Sequence, residues 1–166
     1  DPTVPDRTAF VLKEGPSPIP KLVALSEQLV SAGANVLVMA CNTAHSPEIL
    51  NPVLSSSSRP FISMITAVIN QLPESAVRVG IMATDGTLAS SVYRTALHLD
   101  GRQAVEPNAE QQQAIMHCIY TIKEQGIFNQ VESCLEEVFE ALLRDCDAII
   151  LGCTELSLSQ LVNHPQ

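Results

Sequence analysis

Val36-Leu37-Val38-Met39-Ala40-Cys41-Asn42-Thr43-Ala44-His45 is the stretch on which the fold of this chain turns. Its first five residues are apolar throughout, the pattern of a strand buried on both faces. The run stops at a cysteine, small hydrogen-bonding residues follow, and a segment of helical pattern comes next. Ala148-Ile149-Ile150-Leu151-Gly152-Cys153-Thr154-Glu155-Leu156 repeats the device near the other end. Two strand ends, each delivering one thiol to the start of a helix, predict two equivalent arms facing each other.

The rest of the chain supplies strands and helices in alternation. Asp1 to Pro20 holds five of the 11 prolines and is expected to be extended or looped. Lys21 to Ala32, with Leu22, Leu25, Leu29 and Val30, reads as an amphipathic helix stopped at Gly33. Ala44 to Leu54 predicts a short helix with Pro47 in its first turn. A serine loop follows, then a short strand from Phe61 to Met64 and a helix from Ile65 to Leu72. Val77 to Ala83 is a buried strand ending in Thr84-Asp85-Gly86-Thr87. Leu88 to Leu99 reads as helix and Gln103 to Glu106 as a further short strand. Asn108 caps a long helix that carries Ile115, Cys118, Ile119 and Ile122 and breaks at Gly126. The next helix has the clearest stripe, with Val131, Cys134, Leu135, Val138, Phe139 and Leu142 at helical spacing. Thr154 to Val162 is expected to be a last helix. Such alternation predicts an α/β fold of two pseudo-symmetric lobes, each a mostly parallel sheet flanked by helices. The expected division is residues 1–75 and residues 76–166, with the C-terminal end able to return to the first lobe. In such sheets ligands bind at the carboxyl ends of the strands, which places the active site between the lobes.

Composition excludes several functions. The 166 residues are 46% hydrophobic, enough for a core, and carry a net charge of −9, against nucleic-acid binding, which needs clustered cations. No apolar run approaches the roughly 20 residues of a membrane span. No leader-type stretch is visible in the chain, which opens on Asp1. The Cys count is 5, with no CxxC pair, so the reading is reduced thiols in the cytoplasm, neither a disulfide framework nor a zinc site. There is no Gly-rich phosphate loop.

A thiol at a helix N-terminus feels the positive end of the helix dipole, which predicts a lowered pKa for Cys41 and Cys153. Free amides there bind a carboxylate, and Asn42, Thr43 and Thr154 add side-chain donors. An acid held between two such thiols can lose its α-proton on one face and regain one on the other, with donors stabilising the enediolate-like charge between the two steps. Each cysteine alone would more often be a small core residue. Two in matching contexts favour catalysis.

Ala40-Cys41-Asn42-Thr43-Ala44-His45 together with Gly152-Cys153-Thr154-Glu155-Leu156 resembles the aspartate/glutamate racemase superfamily. The His45 and Thr-Glu-Leu endings, Pro5-Asp6-Arg7-Thr8 and Ala83-Thr84-Asp85-Gly86-Thr87 are similar to its aspartate racemase branch. The resemblance implies racemisation of an acidic amino acid, aspartate before glutamate, by a Cys41/Cys153 thiol pair. It implies no pyridoxal phosphate, no metal, a small-molecule amino-acid substrate and a homodimer. Hydantoin racemisation, maleate isomerisation or a non-catalytic protein of the same fold are the competing readings. Members of the superfamily also carry a strand ahead of the Pro-Asp-Arg segment and a strand and helix beyond the Cys-Thr-Glu helix. This chain resembles the middle of such a protein, so an open sheet edge beside Val36 to Ala40 and weak activity of the chain alone are expected.

By the same resemblance Arg7 and Lys123 bind substrate carboxylate. On physical grounds a guanidinium offers a bidentate fork, or merely a surface ion pair, and a lysine at a stripe edge offers a snorkelling stem. His45 orients Cys41 or substrate, or caps a turn. Glu155 is a proton partner of Cys153 or a first-turn carboxylate. Thr84 and Thr87 form an anion-binding turn or a helix cap. Cys118, Cys134 and Cys146 are assigned to packing, and Glu132, Glu136, Glu137 and Glu140 to a solvated face.

Overall fold

The computed structural model describes residues 2–163. Among these, the strands form two parallel sheets. In the first, β1 (Leu37–Val38) pairs with β2 (Phe61–Ile62), Leu37 opposite Phe61. In the second, β3 (Arg78–Ala83) lies between β4 (Gln103–Val105) and β5 (Ala148–Gly152), with Ala83 opposite Gly152.

Side-chain alternation along β3 and β5 decides what covers each face of the second sheet. Val79, Ile81 and Ala83, with Ala148 and Ile150, pack against α4 (Met64–Ile69) and α6 (Val92–Leu99). Met82 and Ile149 point the other way, into the larger core under α7 (Ala109–Gln125) and α8 (Asn129–Leu143). The α8 stripe is as the spacing predicts: Val131, Leu135, Val138, Phe139 and Leu142 are all buried. Asn108 and Gln111 form a reciprocal capping box at the start of α7, and Gly126, at φ 79°, ends it.

Several expectations are corrected. The proline-rich opening is not all loop: Asp6 accepts the Ala9 N–H at 2.9 Å and starts α1 (Arg7–Val11). α2 (Ile19–Ser31) begins with Pro20 in its first turn, where a missing N–H costs nothing. Its apolar stripe is only partly covered. Leu29 is 52% exposed and, with Leu22, Leu25, Met39 and Phe61, lines an apolar groove of about 370 Å³ beside β1. Between Cys41 and α3 (Pro47–Ser55) there is only a 3-10 turn, Thr43–His45. The helix expected from Leu88 starts earlier, as α5 (Asp85–Ala89), and breaks before α6 at Ser91, which takes φ 55°. Ser90 Oγ donates to Thr87 O at 2.7 Å, the local side-chain bond that competes with helix continuation. The final helix is likewise replaced by two 3-10 turns, Leu156–Leu158 and Gln160–Asn163. There Ser157 and Ser159 donate to the carbonyls of Thr154 and Leu156 at 2.6 and 2.7 Å, and the Glu132 carboxylate takes the Gln160 N–H.

Candidate active site

Cys41 lies just past β1 and Cys153 directly follows β5, so both thiols sit at carboxyl ends of parallel strands. They line one narrow cavity of about 50 Å³, together with Asp6, Arg7, Lys123 and Glu155. Asn42, Thr43, Thr84 and Thr154 line it as well. The two copies of the strand-cysteine device, far apart in sequence, thus open on one space.

Buried polar contacts tie the Cys41 segment to the Thr84–Thr87 turn beside the cavity. Thr43 Oγ1 is 2.9 Å from Thr84 Oγ1 and 2.9 Å from Thr87 Oγ1, and those two are 3.0 Å apart. All three hydroxyls are buried, so they serve first to join the Cys41 segment to α5, and Thr84 additionally caps α5 through the Thr87 N–H. Asn42 is engaged in the same way: Tyr93 Oη donates to its Oδ1 at 2.6 Å.

His45 is buried and has a defined tautomer. The Met64 N–H donates to Nε2 at 3.2 Å, so Nδ1 carries the proton and donates to Cys41 O at 2.9 Å. Burial lowers the pKa of the ring and outweighs the opposing bond to Cys41, which keeps the imidazole neutral. His45 therefore braces the Cys41 backbone against the start of α4.

The Cys153 thiol donates to Glu155 Oε2 at 2.9 Å, and Thr154 Oγ1 donates to the same oxygen at 3.0 Å. Burial, and then Glu155, push the Cys153 pKa up to about 12. This reverses the lowering expected at Cys153. No α-helix follows it, only a short 3-10 turn, and the nearest charge is a carboxylate. Burial opposes the charge on Glu155, but the bond from Cys153, its own backbone N–H and Lys123 outweigh it and hold the carboxyl below its usual range. Cys153 is thus a protonated thiol beside an ionised acceptor.

A linkage effect follows. The folded Cys153 keeps its proton where the unfolded chain, with a pKa near 9.0, loses it. Its stabilising share is full below pH 9.0 and falls as pH rises toward about 12. Between pH 9.0 and about 12 the urea midpoint of the wild type is expected to drop more steeply than that of Cys153→Ala. Parallel curves would show that the thiol titrates alike in both states.

Two cations line the same cavity. Arg7 Nη1 donates to Pro5 O at 3.1 Å and lies beside Cys41. Burial works against its charge, yet Cys41, Asp6 and Glu155 outweigh burial and raise its pKa. Lys123 stands 4.0 Å from Asp6 Oδ2 and lies over the Tyr120 ring, 5.1 Å from its centroid. Sequence reasoning named Arg7 and Lys123 but missed Asp6, which caps α1 and faces Lys123, and Thr8 beside it. Asp6 stood inside the Pro-Asp-Arg segment, and its capping role was readable from its place ahead of α1. Tyr93 had no local signal.

This arrangement has relatives. A model of the Asp/Glu/Hydantoin racemase family matches residues 1–164. The chain is 24% identical over 130 residues to the broad specificity amino-acid racemase RacX of Bacillus subtilis, covering 78% of this chain and 56% of that protein. It is 32% identical over 143 residues to the glutamate racemase of Ectopseudomonas mendocina, covering 81% and 51%. Among solved structures it superposes on Picrophilus torridus aspartate racemase with a TM-score of 0.79 and 25% identity, over 95% of this chain and 65% of that one. The chain spans about half the length of the curated relatives it matches. Parallel strands, two cysteines on one cavity and a family match over nearly every residue agree: the chain belongs to the Asp/Glu/Hydantoin racemase family.

Proposed function

We propose that this chain interconverts the L and D forms of an acidic amino acid, aspartate foremost, without a cofactor. The observation that carries the reading is that Cys41 and Cys153 share one cavity with two cations. In this scheme a thiolate at Cys41 takes the Cα proton, with Arg7 as counter-charge. The carbanion is held as an enediolate by donors of the Asn42 and Thr154 segments. The Cys153 thiol then delivers its proton to the opposite face. One proton has moved to Cys41 and one has left Cys153, and exchange with solvent resets the pair. Glu155 supports Cys153 as the acid and receives its proton in the reverse direction. Thr43, Thr84 and Thr87 contribute by holding the cavity wall.

Two cations beside one cavity favour a substrate with two carboxylates over an uncharged hydantoin. The narrow cavity favours the shorter dicarboxylate, aspartate, over glutamate. Among the described residues no helix is long and apolar enough to cross a membrane. We take the site of action to be the cytoplasm and the active form to be a homodimer, by resemblance to the family.

Arg7→Ala and Lys123→Ala are expected to lower kcat/KM on aspartate about tenfold or more each, for the loss of a charge-assisted contact of about 1.5–3 kcal/mol. Thermal midpoints should move little, because neither side chain is fully buried. Chiral chromatography of L-aspartate, with melting curves alongside, checks this. Unchanged kinetics would assign both to the surface.

A further inference from the structure

Tyr93 is a buried aromatic with a polar end that the mechanism leaves unused. It lies on α6, only 2% exposed, and its two ends meet the neighbours of both cysteines. The ring packs against the end of β5, where a Cβ on Gly152 would come within 3.1 Å of Tyr93 Cε2. The absence of a side chain at Gly152, the residue before Cys153, is what admits the ring. At the other end the hydroxyl donates to Oδ1 of Asn42, the residue after Cys41, at 2.6 Å. One rigid side chain thus spans from the β5 arm to the Cys41 arm.

The bond also orients an amide. Burial raises the Tyr93 pKa, so the phenol keeps its proton at any physiological pH and has a donor to place. With Oδ1 of Asn42 committed to that donor, the amide cannot rotate by half a turn without setting N–H against O–H. Asn42 lines the cavity, and among the described residues its NH₂ has no hydrogen-bond acceptor in the protein. The geometry points to Tyr93 as a positioning residue: it holds the Asn42 amide with its NH₂ free for the substrate carboxylate and sets the separation of the two thiol arms. This rests on the racemase reading for the ligand, but not for the contact itself.

The test separates the hydroxyl from the ring, using the whole chain. Tyr93→Phe keeps the ring and its packing on Gly152 and removes only the donor. With L-aspartate, kcat/KM is expected to fall about tenfold, mostly through KM, with the thermal midpoint near that of the wild type. Asn42→Ala should lose as much or more, and the double variant should be no worse than Asn42→Ala alone, because both changes remove one interaction. An unchanged kcat/KM in Tyr93→Phe, or losses that multiply in the double variant, would overturn the proposal. A second readout is independent of turnover. In a ¹⁵N-labelled sample the Asn42 side-chain NH₂, identified by its loss in Asn42→Asp, should give one sharp pair of signals that shifts and broadens in Tyr93→Phe. Signals indifferent to the change overturn the amide-holding role even in a chain that turns over nothing. Shifted signals in such a chain would uphold it while removing the racemase reading.

Discussion

Cys41→Ser and Cys153→Ser are each expected to abolish the proposed racemisation of aspartate, with losses of at least about a hundredfold, the lower end of what one acid or base contributes. Inversion needs an acceptor on one face of Cα and a donor on the other, and a serine hydroxyl is too weak an acid to take either part. The folds of both variants should survive. Cys41 is half-buried and Cys153 sits at a strand end, so replacing sulfur by oxygen leaves the sheets intact. Each variant is further expected to retain exchange of the Cα proton for one enantiomer only, since one thiol still reaches one face. Rates of inversion and of α-proton washout, measured for both enantiomers, check this. Near-normal inversion in either variant sinks the two-thiol mechanism.

Gly86→Ala is expected to separate the walls of the cavity. A Cβ on Gly86 would lie 2.7 Å from Thr8 Cα and 2.9 Å from Thr43 Cγ2. The first of these is backbone, so α1 itself must retreat from α5. Overpacking of this kind costs about 1–3 kcal/mol. The functional effect should be larger than the stability effect. α1 carries Arg7 and Thr8, and Thr43 would be driven from Thr84 and Thr87, so the Cys41 arm moves with them. An ångström of misplacement can cost about a hundredfold in rate. Melting curves and aspartate turnover are the measurements. A variant as active as the wild type would show that α1 and α5 slide without disturbing the thiols.

The legible parts of this protein were those with a local pattern. The apolar run before Cys153, the stripe of α8 and the Asn108 cap each express one element's own physics, and each appears where the pattern puts it. The run before Cys41 does so only in part: β1 is Leu37–Val38 alone, and Val36 and Val38 are exposed, not buried on both faces. Boundaries failed where a side chain competes with the backbone, as Ser90, Ser157 and Ser159 do by taking nearby carbonyls. The same failure misled the chemistry. Without a helix after Cys153, burial and Glu155 govern that thiol, and its pKa rises where a dipole would have lowered it. The contacts that join the halves were not legible. Nothing near Tyr93 in sequence points to Asn42, and nothing near Gly86 points to Thr8, because both pairs are distant in sequence and meet only in the packed fold.

Transfer of protons by Cys41 and Cys153 to opposite faces of one acidic amino acid is tested most directly by incubating the protein with L-aspartate in D₂O without added cofactor, following Cα–H loss by proton NMR and the D form by chiral chromatography. D-aspartate that carries deuterium at Cα from its first appearance, formed by the wild type and by neither serine variant, is the expected result. Retention of the Cα proton in L-aspartate, or inversion that persists when either thiol is gone, would contradict it.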